Sequence, residues 1–413
     1  VLQEHAVIEQ AANRGIEDID PPVRCVLRLG AHQLLGMRVP SHAALSETVE
    51  LAKQVLKPTL AGFTNGVLRR VSEKARDVWL ADLLEPISDR FAQLELEYSH
   101  PAWIIRALSD ALRADGRVDE LELLLASDNI APLVNLVALP GRSEVQELAS
   151  VDVEVQGVSP LGVVVLGGEP AKLAAVKAGN ARVQDQGSQL VALALAAAPV
   201  LSKPTSSRSE EWLDLCAGPG GKAVLLAALA SGSGAELVCN ELQQHRAILV
   251  EQALRHAGQD CFVRVGDGRD LGADAPESFD RILLDAPCSG LGALRRRAEA
   301  RYRKSSNDLA ELTKLQRDLF ASAFAGLRPG GVLAYSTCSP HLAETTAIVD
   351  WALREFGGRI ELLDAREVLG SINHELTDST PVQLTAGRKT IQLWPHVQGT
   401  DAMFLALLRK TIK

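Results

Sequence analysis

The chain has 413 residues, of which 46% are hydrophobic and 23% are charged, and its formal net charge is −9. This length predicts two or three domains, each with its own core, and the composition is that of a soluble globular protein. The acidic balance excludes a protein that binds nucleic acid over its whole surface, although it leaves room for local basic patches.

The apolar runs and the cysteines bear on the cellular location of the protein and on whether it binds a membrane or a metal. The apolar stretch LVALALAAAPVL at 190–201 is too short to span a bilayer and is expected to be a buried helix. The chain contains no CxxC pair and no Cys/His cluster, so neither a disulfide scaffold nor a metal site is expected. We therefore expect a cytoplasmic protein without a membrane or metal partner. The six cysteines are Cys25, Cys216, Cys239, Cys261, Cys288 and Cys338.

Residues 1–90 have the apolar periodicity of helices, with helix starts and short turns between three segments. An ordinary helical bundle without any chemistry satisfies this pattern. The stretches LRLGAHQLL, ALSETVELAK and FTNGVLRRV also resemble the second half of the NusB family of small helical RNA-binding proteins. This resemblance implies an all-α RNA-binding domain over 1–90. Since the chain opens at Val1, we expect that the first helices of that domain are missing.

Residues 91–180 have a mixed pattern. Helices are predicted in HPAWIIRALSDALRADG and VDELELLLASDN, and strands in APLVNLVALPG and PLGVVVLGG. Glycine and proline punctuate the segment near 140, 157–160 and 167–170. These features predict a small α+β connector subdomain.

Strands and helices alternate over residues 181–413, which predicts an α/β domain with a largely parallel sheet and helices on both faces. In such sheets ligands bind beyond the carboxyl ends of the strands. The predicted strands are 210–216, 235–241, 261–267, 279–286 and 331–338. The residues at their ends are Cys216 to Lys222, Glu241, Asp267, Asp285 to Cys288, and Thr337 with Cys338.

The turn LDLCAGPGGK at 213–222 is rich in glycine, but Cys216 and Ala223 stand where a nucleoside triphosphate loop needs Gly and Ser or Thr. Glu241 ends the next predicted strand, where an acid accepts hydrogen bonds from ribose hydroxyls. A glycine turn with a ribose-binding acid and no phosphate signature favours S-adenosylmethionine, and Asp267 would then bind the adenine amino group. Taken singly, the turn and the acids are also compatible with a plain tight turn and with helix caps.

Five motifs carry a closer resemblance: LDLCAGPGGK, CNELQQHR, VRVGDGRD, FDRILLDAPCSGLG and LRPGGVLAYSTCSPHLAE. Together they resemble the RNA cytosine carbon-5 methyltransferases of the RsmB/Fmu (NOL1/NOP2/Sun) family across 181–413. The NusB-like part narrows the resemblance to the RsmB branch, which acts on small-subunit (16S) ribosomal RNA. It implies a Rossmann-like methyltransferase domain that binds S-adenosylmethionine through Cys216, Ala217, Gly218, Pro219, Gly220, Gly221, Lys222, Glu241, Asp267 and Asp285.

This chemistry needs two cysteines. Carbon 5 of cytosine becomes nucleophilic only after a thiolate adds to carbon 6, and a second group assists the later departure of the sulfur. A Pro-Cys step after the fourth strand is where DNA cytosine methyltransferases carry their nucleophile, which points to Cys288. The resemblance implies instead that Cys338 attacks, that Cys288 aids product release and that Asp285 holds the base edge. For an arbitrary cysteine, a packing role is the alternative, and we expect it for Cys25, Cys239 and Cys261.

A basic segment, RRRAEARYRK at 295–304, follows the Pro-Cys motif. Beside an active site it would supply phosphate contacts and one stacking ring, whereas a solvated helix face is the alternative. It departs from the family's Arg-x-Pro-x-x-x-Trp pattern, with Ala298 and Tyr302 in place of the proline and tryptophan. In VQDQGSQLVA, Gln184, Asp185 and Ser188 either line the site or cap a helix. The candidate RNA-binding residues are Arg295, Arg296, Arg297, Arg301, Tyr302 and Arg303.

The function expected from the sequence is S-adenosylmethionine-dependent methylation of cytosine carbon 5 in a 16S rRNA stem-loop by a monomer, with the target base flipped out of its stack. Two alternatives remain open. One is a transfer-RNA or DNA methyltransferase with the same chemistry, and the other is a non-catalytic RNA-binding or assembly factor.

Overall fold

The computed structural model describes residues 2–150, 152–202, 208–377 and 382–412. The chain divides into two compact units, Val1–Arg106 and Ala107–Lys413. Among the described residues, none of the helices is both long and apolar enough to cross a membrane.

The first unit is helical, as predicted. Ile8, Leu27 and Leu68 are fully buried in its core. A Cβ added at Gly30 would lie 2.7 Å from the Leu68 side chain, so glycine allows the second and fourth helices to approach closely. Cys25 is exposed, and the packing role expected for it is wrong because it lies on the solvent side of its helix. The helices are α1 Leu2–Ala12, α2 Pro21–Gly36, α3 Ser41–Val55, α4 Pro58–Val71, α5 Arg76–Leu84 and α6 Arg90–Tyr98.

A small antiparallel sheet lies in the stretch predicted as α+β. Its strand order is β2-β3-β1-β4, and Val163 and Val137, both 0% exposed, lie in its two central strands. The predicted helices and strands of this stretch are confirmed. The elements are α7 Ala102–Ala114, α8 Leu121–Ser127, β1 Val134–Ala138, α9 Val145–Leu148, β2 Val153–Glu154, β3 Gly162–Val165, α10 Ala174–Lys177 and β4 Ala181–Val183.

A large mixed sheet forms the centre of the second unit. Its order is β10-β12-β9-β8-β5-β6-β7, and β11 pairs with β12. The five strands from β9 to β7 are parallel, whereas β12 pairs antiparallel with both β9 and β10. This confirms the predicted largely parallel sheet. The strands are β5 Glu211–Asp214, β6 Glu236–Glu241, β7 Phe262–Val265, β8 Phe279–Asp285, β9 Leu327–Thr337, β10 Ile360–Leu362, β11 Ile391–Gln392 and β12 Phe404–Lys410.

Helices cover both faces of this sheet, so its central strands are apolar on both sides. Leu283 and Leu284 are adjacent and both 0% exposed, and they belong to the cores on opposite faces. Residues 190–197 of the buried helix predicted at 190–201 form the end of α11, and the helix stops there, before Pro199. The helices are α11 Gln186–Ala197, α12 Gly221–Gly232, α13 Gln244–His256, α14 Leu271–Asp274, α15 Ala300–Arg303, α16 Asp308–Gly326, α17 Thr346–Phe356, α18 Ala365–Ile372 and α19 Pro395–Gln398.

The order of the parallel strands reverses at β5. From β5 the chain runs outward through β6 to β7 and then returns to β8, on the other side of β5. Loops that leave the carboxyl ends of β5 and β8 therefore diverge and open a crevice between them.

Asp280 joins several segments by hydrogen bonds at the opposite edge of the sheet, where the parallel strands begin. Its carboxyl group is fully buried and accepts hydrogen bonds from Arg208 (2.6 Å), Arg328 (2.7 Å) and the backbone N–H of Glu211 (3.0 Å). Burial opposes ionisation, but the donors, led by Arg208, outweigh it and lower the pKa of Asp280.

We expect Asp280→Asn to destabilise the second unit by about 3 kcal/mol at neutral pH, because one buried partner of two arginines loses its charge. Since the native pKa is lowered, this stabilisation is present above the ordinary carboxyl pKa of 3.8 and is lost as the pH falls through the native value. Urea unfolding of both proteins at pH 7 and at about pH 3, below the ordinary carboxyl pKa, measures this difference. A difference that is unchanged or larger at about pH 3 would contradict the assignment.

Candidate active site

The glycine-rich turn after β5 lies against the end of β6. The Gly218 N–H donates to Glu241 Oε2 at 3.0 Å, and a Cβ at Gly218 would lie 2.1 Å from that oxygen. Gly220 has a φ of +101°, and a Cβ there would lie 3.2 Å from Val250 Cα of α13. A side chain at position 218 would displace the Glu241 carboxylate, whereas position 220 favours glycine for its positive φ.

Glu241 is a buried acid at the end of β6, with 5% of its surface exposed. Its Oε2 accepts from Gly218 and its Oε1 accepts from the Gln243 N–H at 3.0 Å, while Arg246 Nε lies 3.7 Å from Oε2. A carboxylate oxygen can accept two hydrogen bonds, so each one retains capacity for a hydroxyl group. The turn and this acid together fit a nucleoside with its ribose at Glu241.

Asp267, the acid expected at the adenine, follows β7. Both of its carboxyl oxygens accept from Arg269, whose Nη2 lies 2.6 Å from Oδ2. This hydrogen bonding lowers the pKa of Asp267 and keeps it ionised.

An ion pair crosses the crevice between the ends of β5 and β8. Lys222 Nζ lies 2.7 Å from Asp285 Oδ2, and Ser336 Oγ on β9 donates to Asp285 Oδ1 at 3.0 Å. Burial opposes the charged form of Lys222, but the charge and hydrogen bond of Asp285 outweigh it and raise the lysine pKa. A fixed positive charge therefore lies beside a carboxylate that is still 30% exposed.

Asp214, the last residue of β5, is a buried acid that the sequence patterns did not single out. It is 1% exposed, and neither of its oxygens has a well-formed hydrogen bond from the described residues. Burial raises its pKa to about 7, with a further contribution from Asp285, while Lys222 acts in the opposite direction. Its position at the end of a strand within the glycine motif was the available signal.

The two cysteines that follow β8 and β9 lie together. Cys288 Sγ is 3.4 Å from Cys338 Sγ, and both residues are half-buried. The hydrogen bond from Cys288 lowers the pKa of Cys338, and Lys222 adds to this effect against burial, Asp285 and Asp401. The same hydrogen bond, together with burial, raises the pKa of Cys288. These opposite shifts favour Cys338 as the first of the two thiols to ionise and Cys288 as the hydrogen-bond donor of the pair.

Three other cysteines of this unit are neutral thiols. Burial raises the pKa values of Cys216 and Cys239 well above the ordinary value, and that of Cys261 to about 11. Cys239 is fully buried, and Cys261 packs against the same core, which agrees with the packing roles expected for them.

A buried carboxylate, Glu344, links the turns that carry the two cysteines. Its Oε2 accepts from Ser289 Oγ and from Ser339 Oγ at 2.7 Å. These serines directly follow Cys288 and Cys338, so the repeated Cys-Ser pair was a visible signal, whereas Glu344 had none.

Two arginines of the basic segment form an internal cluster with two acids. Arg295 and Arg296 each pair with Asp185 and Asp401, at 2.8 to 3.3 Å. Asp185 also caps α11 by accepting from the Gly187 N–H at 2.9 Å, so its capping interpretation holds. These two arginines hold their segment in place.

The same segment is attached to the Cys338 turn through the backbone. Gly292 N–H donates to Cys338 O at 2.8 Å, and Gly292 O accepts from the Ala402 N–H at 2.8 Å. A Cβ at Gly292 would lie 2.3 Å from Ala402 O, so only glycine allows these two backbone segments to approach so closely.

The remaining candidates of the basic segment differ in exposure. Arg301 is 4% exposed and donates to Asn129 Oδ1 and to Asp128 O, both at 2.7 Å. It therefore serves the protein's own structure. The solvent-facing members are Arg297, Tyr302 and Arg303.

The chain matches two protein families. Residues 202–409 match the family described as 16S rRNA methyltransferase RsmB/F, and residues 4–73 match the NusB family. A Mycobacterium tuberculosis (strain ATCC 25618 / H37Rv) protein, named as a methyltransferase without a stated substrate, is 46% identical over 98% of this chain and 84% of its own length. The ribosomal RNA small subunit methyltransferase B of Sodalis glossinidius is 33% identical over 77% of this chain and 70% of its own.

The crystal structure of PH0851 has the same fold. It superposes with a TM-score of 0.77 at 23% identity and covers 99% of this chain and 88% of its own. With an amino-terminal NusB domain followed by this methyltransferase domain, the chain belongs to the RsmB/F family of 16S rRNA methyltransferases.

Proposed function

We propose that this protein methylates carbon 5 of a cytosine in 16S rRNA through a covalent bond between Cys338 and carbon 6. The observation that carries the proposal is the 3.4 Å contact between two thiols with opposite proton preferences, beside the pair of Lys222 and Asp285. Cys338 can serve as the nucleophile, and a second thiol in contact with it can assist the departure of its sulfur when the covalent adduct is released.

S-adenosylmethionine, the cofactor, supplies an electrophilic methyl group when it is bound. The glycine turn 216–222 and Glu241 would hold its nucleoside, with the ribose hydroxyls donating to the Glu241 carboxylate. Asp267 and the nearby backbone would bind the adenine edge. Asp285 and Lys222 would face the reacting end of the crevice.

Cys338 begins the reaction as a thiolate that adds to carbon 6 of a flipped cytosine. Addition moves electron density onto the ring and its N3 edge. The Asp285 carboxylate accepts a hydrogen bond from the exocyclic amino group, and the Lys222 charge beside it favours the negative charge that develops. This activates carbon 5 toward the methyl group.

Cys288 acts at the end of the reaction. Elimination transfers the proton of carbon 5 to solvent water, restores the aromatic ring and breaks the bond between carbon 6 and sulfur. The electron pair of that bond returns to Cys338, whose sulfur then receives the S–H hydrogen bond of Cys288. Without this donor the adduct persists.

The first test of this proposal identifies the nucleic acid that the protein methylates. Radiolabelled methyl transfer to purified 16S rRNA, transfer RNA and DNA, with nucleoside analysis for 5-methylcytosine, should give product on rRNA. Activity only on DNA or transfer RNA would contradict the substrate assignment, and retained RNA affinity without any methylation would indicate a non-catalytic factor.

We expect Cys338→Ala to abolish both methylation and covalent complexes, because no thiolate remains to attack. Cys288→Ala should accumulate a covalent protein–RNA complex that resists denaturing electrophoresis. Cys261→Ala, a packing cysteine, is the matched control and should retain wild-type turnover. The reverse pattern between Cys338 and Cys288 would exchange their roles.

The same pair predicts a change in pH dependence. Because the Cys288 hydrogen bond lowers the pKa of Cys338, Cys288→Ala should raise that pKa and shift the onset of thiolate reactivity to higher pH. Iodoacetamide labelling of Cys338 against pH, followed by peptide mass spectrometry, measures the shift. An unchanged or lower midpoint would mean that Cys288 does not stabilise the thiolate.

Exposed arginines of the basic segment should contact RNA phosphate. Replacing Arg297 and Arg303 by Ala should weaken RNA binding about tenfold and reduce the slope of log affinity against log salt by about 2, since two phosphate contacts are lost. Filter binding between 50 and 200 mM salt measures both, with exposed Arg354→Ala on α17 as control. An effect no larger than that of the control would exclude the segment.

A further inference from the structure

Glu344 is a fully buried carboxylate outside the residues assigned above to cofactor or base. Its Oε1 accepts from the Ser289 N–H at 2.8 Å and from Gln316 Nε2 at 3.2 Å. Its Oε2 accepts from Ser289 Oγ at 2.5 Å and from Ser339 Oγ at 2.7 Å. Four donors use the full accepting capacity of the group, which a buried charge requires to be stable.

The donors come from elements that are otherwise separate. Ser289 lies in the turn after β8, directly after Cys288, and Ser339 lies in the turn after β9, directly after Cys338. The two serine hydroxyl oxygens are 3.0 Å apart. One carboxylate therefore ties together the two backbone turns from which the thiols project.

Glu344 itself is held from two further directions. Its carbonyl oxygen accepts from Tyr335 Oη on β9 at 2.6 Å. Gln316 on α16, which is also fully buried, donates both to Glu344 and to Pro287 O at 2.9 Å. The carboxylate is consequently a fixed point with respect to both turns.

We propose that Glu344 is a positioning residue that sets the separation of the Cys288 and Cys338 thiols by binding the serine that follows each of them. A shift of about 1 Å in a reacting group costs on the order of 100-fold in rate. The expected loss of rate rests on the proposed function, whereas the hydrogen bonds that join the two turns through Glu344 do not. The negative charge of Glu344 also raises the pKa of Cys288, in agreement with the thiol form of that residue.

Three variants separate the effect of the hydrogen bonds by which Glu344 ties the two turns together from the effect of its negative charge. In Glu344→Gln the amide oxygen can accept from the Ser289 N–H and from Gln316, while the amide N–H donates to hydroxyl oxygens that rotate to accept. This variant keeps the tie and loses the charge. Glu344→Ala loses both, and the double variant Ser289→Ala with Ser339→Ala keeps the charge and loses the hydroxyl ties.

Turnover and affinity are the first readout. We expect Glu344→Ala to lower kcat about 100-fold and the double serine variant about tenfold, with the KM for RNA and cofactor nearly unchanged. Glu344→Gln should remain within about threefold of wild type. Asp280→Asn, a buried carboxylate at the other end of the sheet, is the control for lost stability and should retain kcat below its unfolding temperature.

The second readout measures the thiol separation without substrate. Diamide converts the two thiols to a disulfide, and the two protons and two electrons released reduce its azo group to a hydrazine. Peptide mass spectrometry of the Cys288–Cys338 disulfide against time should show formation at least tenfold slower in Glu344→Ala than in wild type or Glu344→Gln.

Two results would overturn the proposal: wild-type disulfide formation in Glu344→Ala, or a Glu344→Gln protein as impaired as Glu344→Ala. If Glu344→Ala does not fold, the double serine variant and Glu344→Gln decide by the same comparison. If the wild-type protein makes no 5-methylcytosine but the disulfide rates follow the expected order, the proposed reaction fails while the positioning role stands.

Discussion

Parallel pairing of β9, β8, β5, β6 and β7 is the constraint on which the rest of the site depends. It brings the carboxyl ends of five strands to one edge of the sheet, although their residues are spread over more than 120 positions of the chain. The reversal of strand order at β5 then opens this edge between β5 and β8. The Lys222 and Asp285 pair spans that opening.

Charge at this edge is concentrated and partly buried, and its cost is offset in different ways. Glu241 accepts backbone hydrogen bonds, Asp285 has a lysine, and Glu344 has four donors. Asp214 is buried without a well-formed hydrogen bond from the described residues, and burial raises its pKa to about 7 although Lys222 acts in the opposite direction. A buried carboxylate is therefore kept charged by its donors, and one that lacks them more readily takes up a proton.

The two active-site cysteines demonstrate the same rule for one residue type. Cys338 has a sulfur donor and a nearby ammonium, which lower its pKa, whereas the hydrogen bond to Cys338, burial and the charge of Glu344 raise the pKa of Cys288. This difference in neighbours supports the roles of nucleophile and proton donor that we propose for Cys338 and Cys288. The Glu344 network would keep the two thiols at a constant distance while RNA and cofactor bind and dissociate.

Much of the molecule was predictable from local sequence. Alternating apolar runs predicted the helices of the first unit, β1, β3 and the five parallel strands β5 to β9, but not the antiparallel strands β10 and β12. Glycines at 218 and 220 marked the turn after β5. The strand ends predicted which side chains meet, because parallel strands end at a common edge. Local sequence could not sort the basic segment, in which Arg295 and Arg301 point to internal partners while Arg297 and Arg303 face solvent. Nor could it find that Cys25 is exposed or that Glu344 joins Ser289 to Ser339, 50 residues apart. Those outcomes depend on contacts, or their absence, with residues distant in the chain, and only the tertiary structure decides which of those residues come within reach.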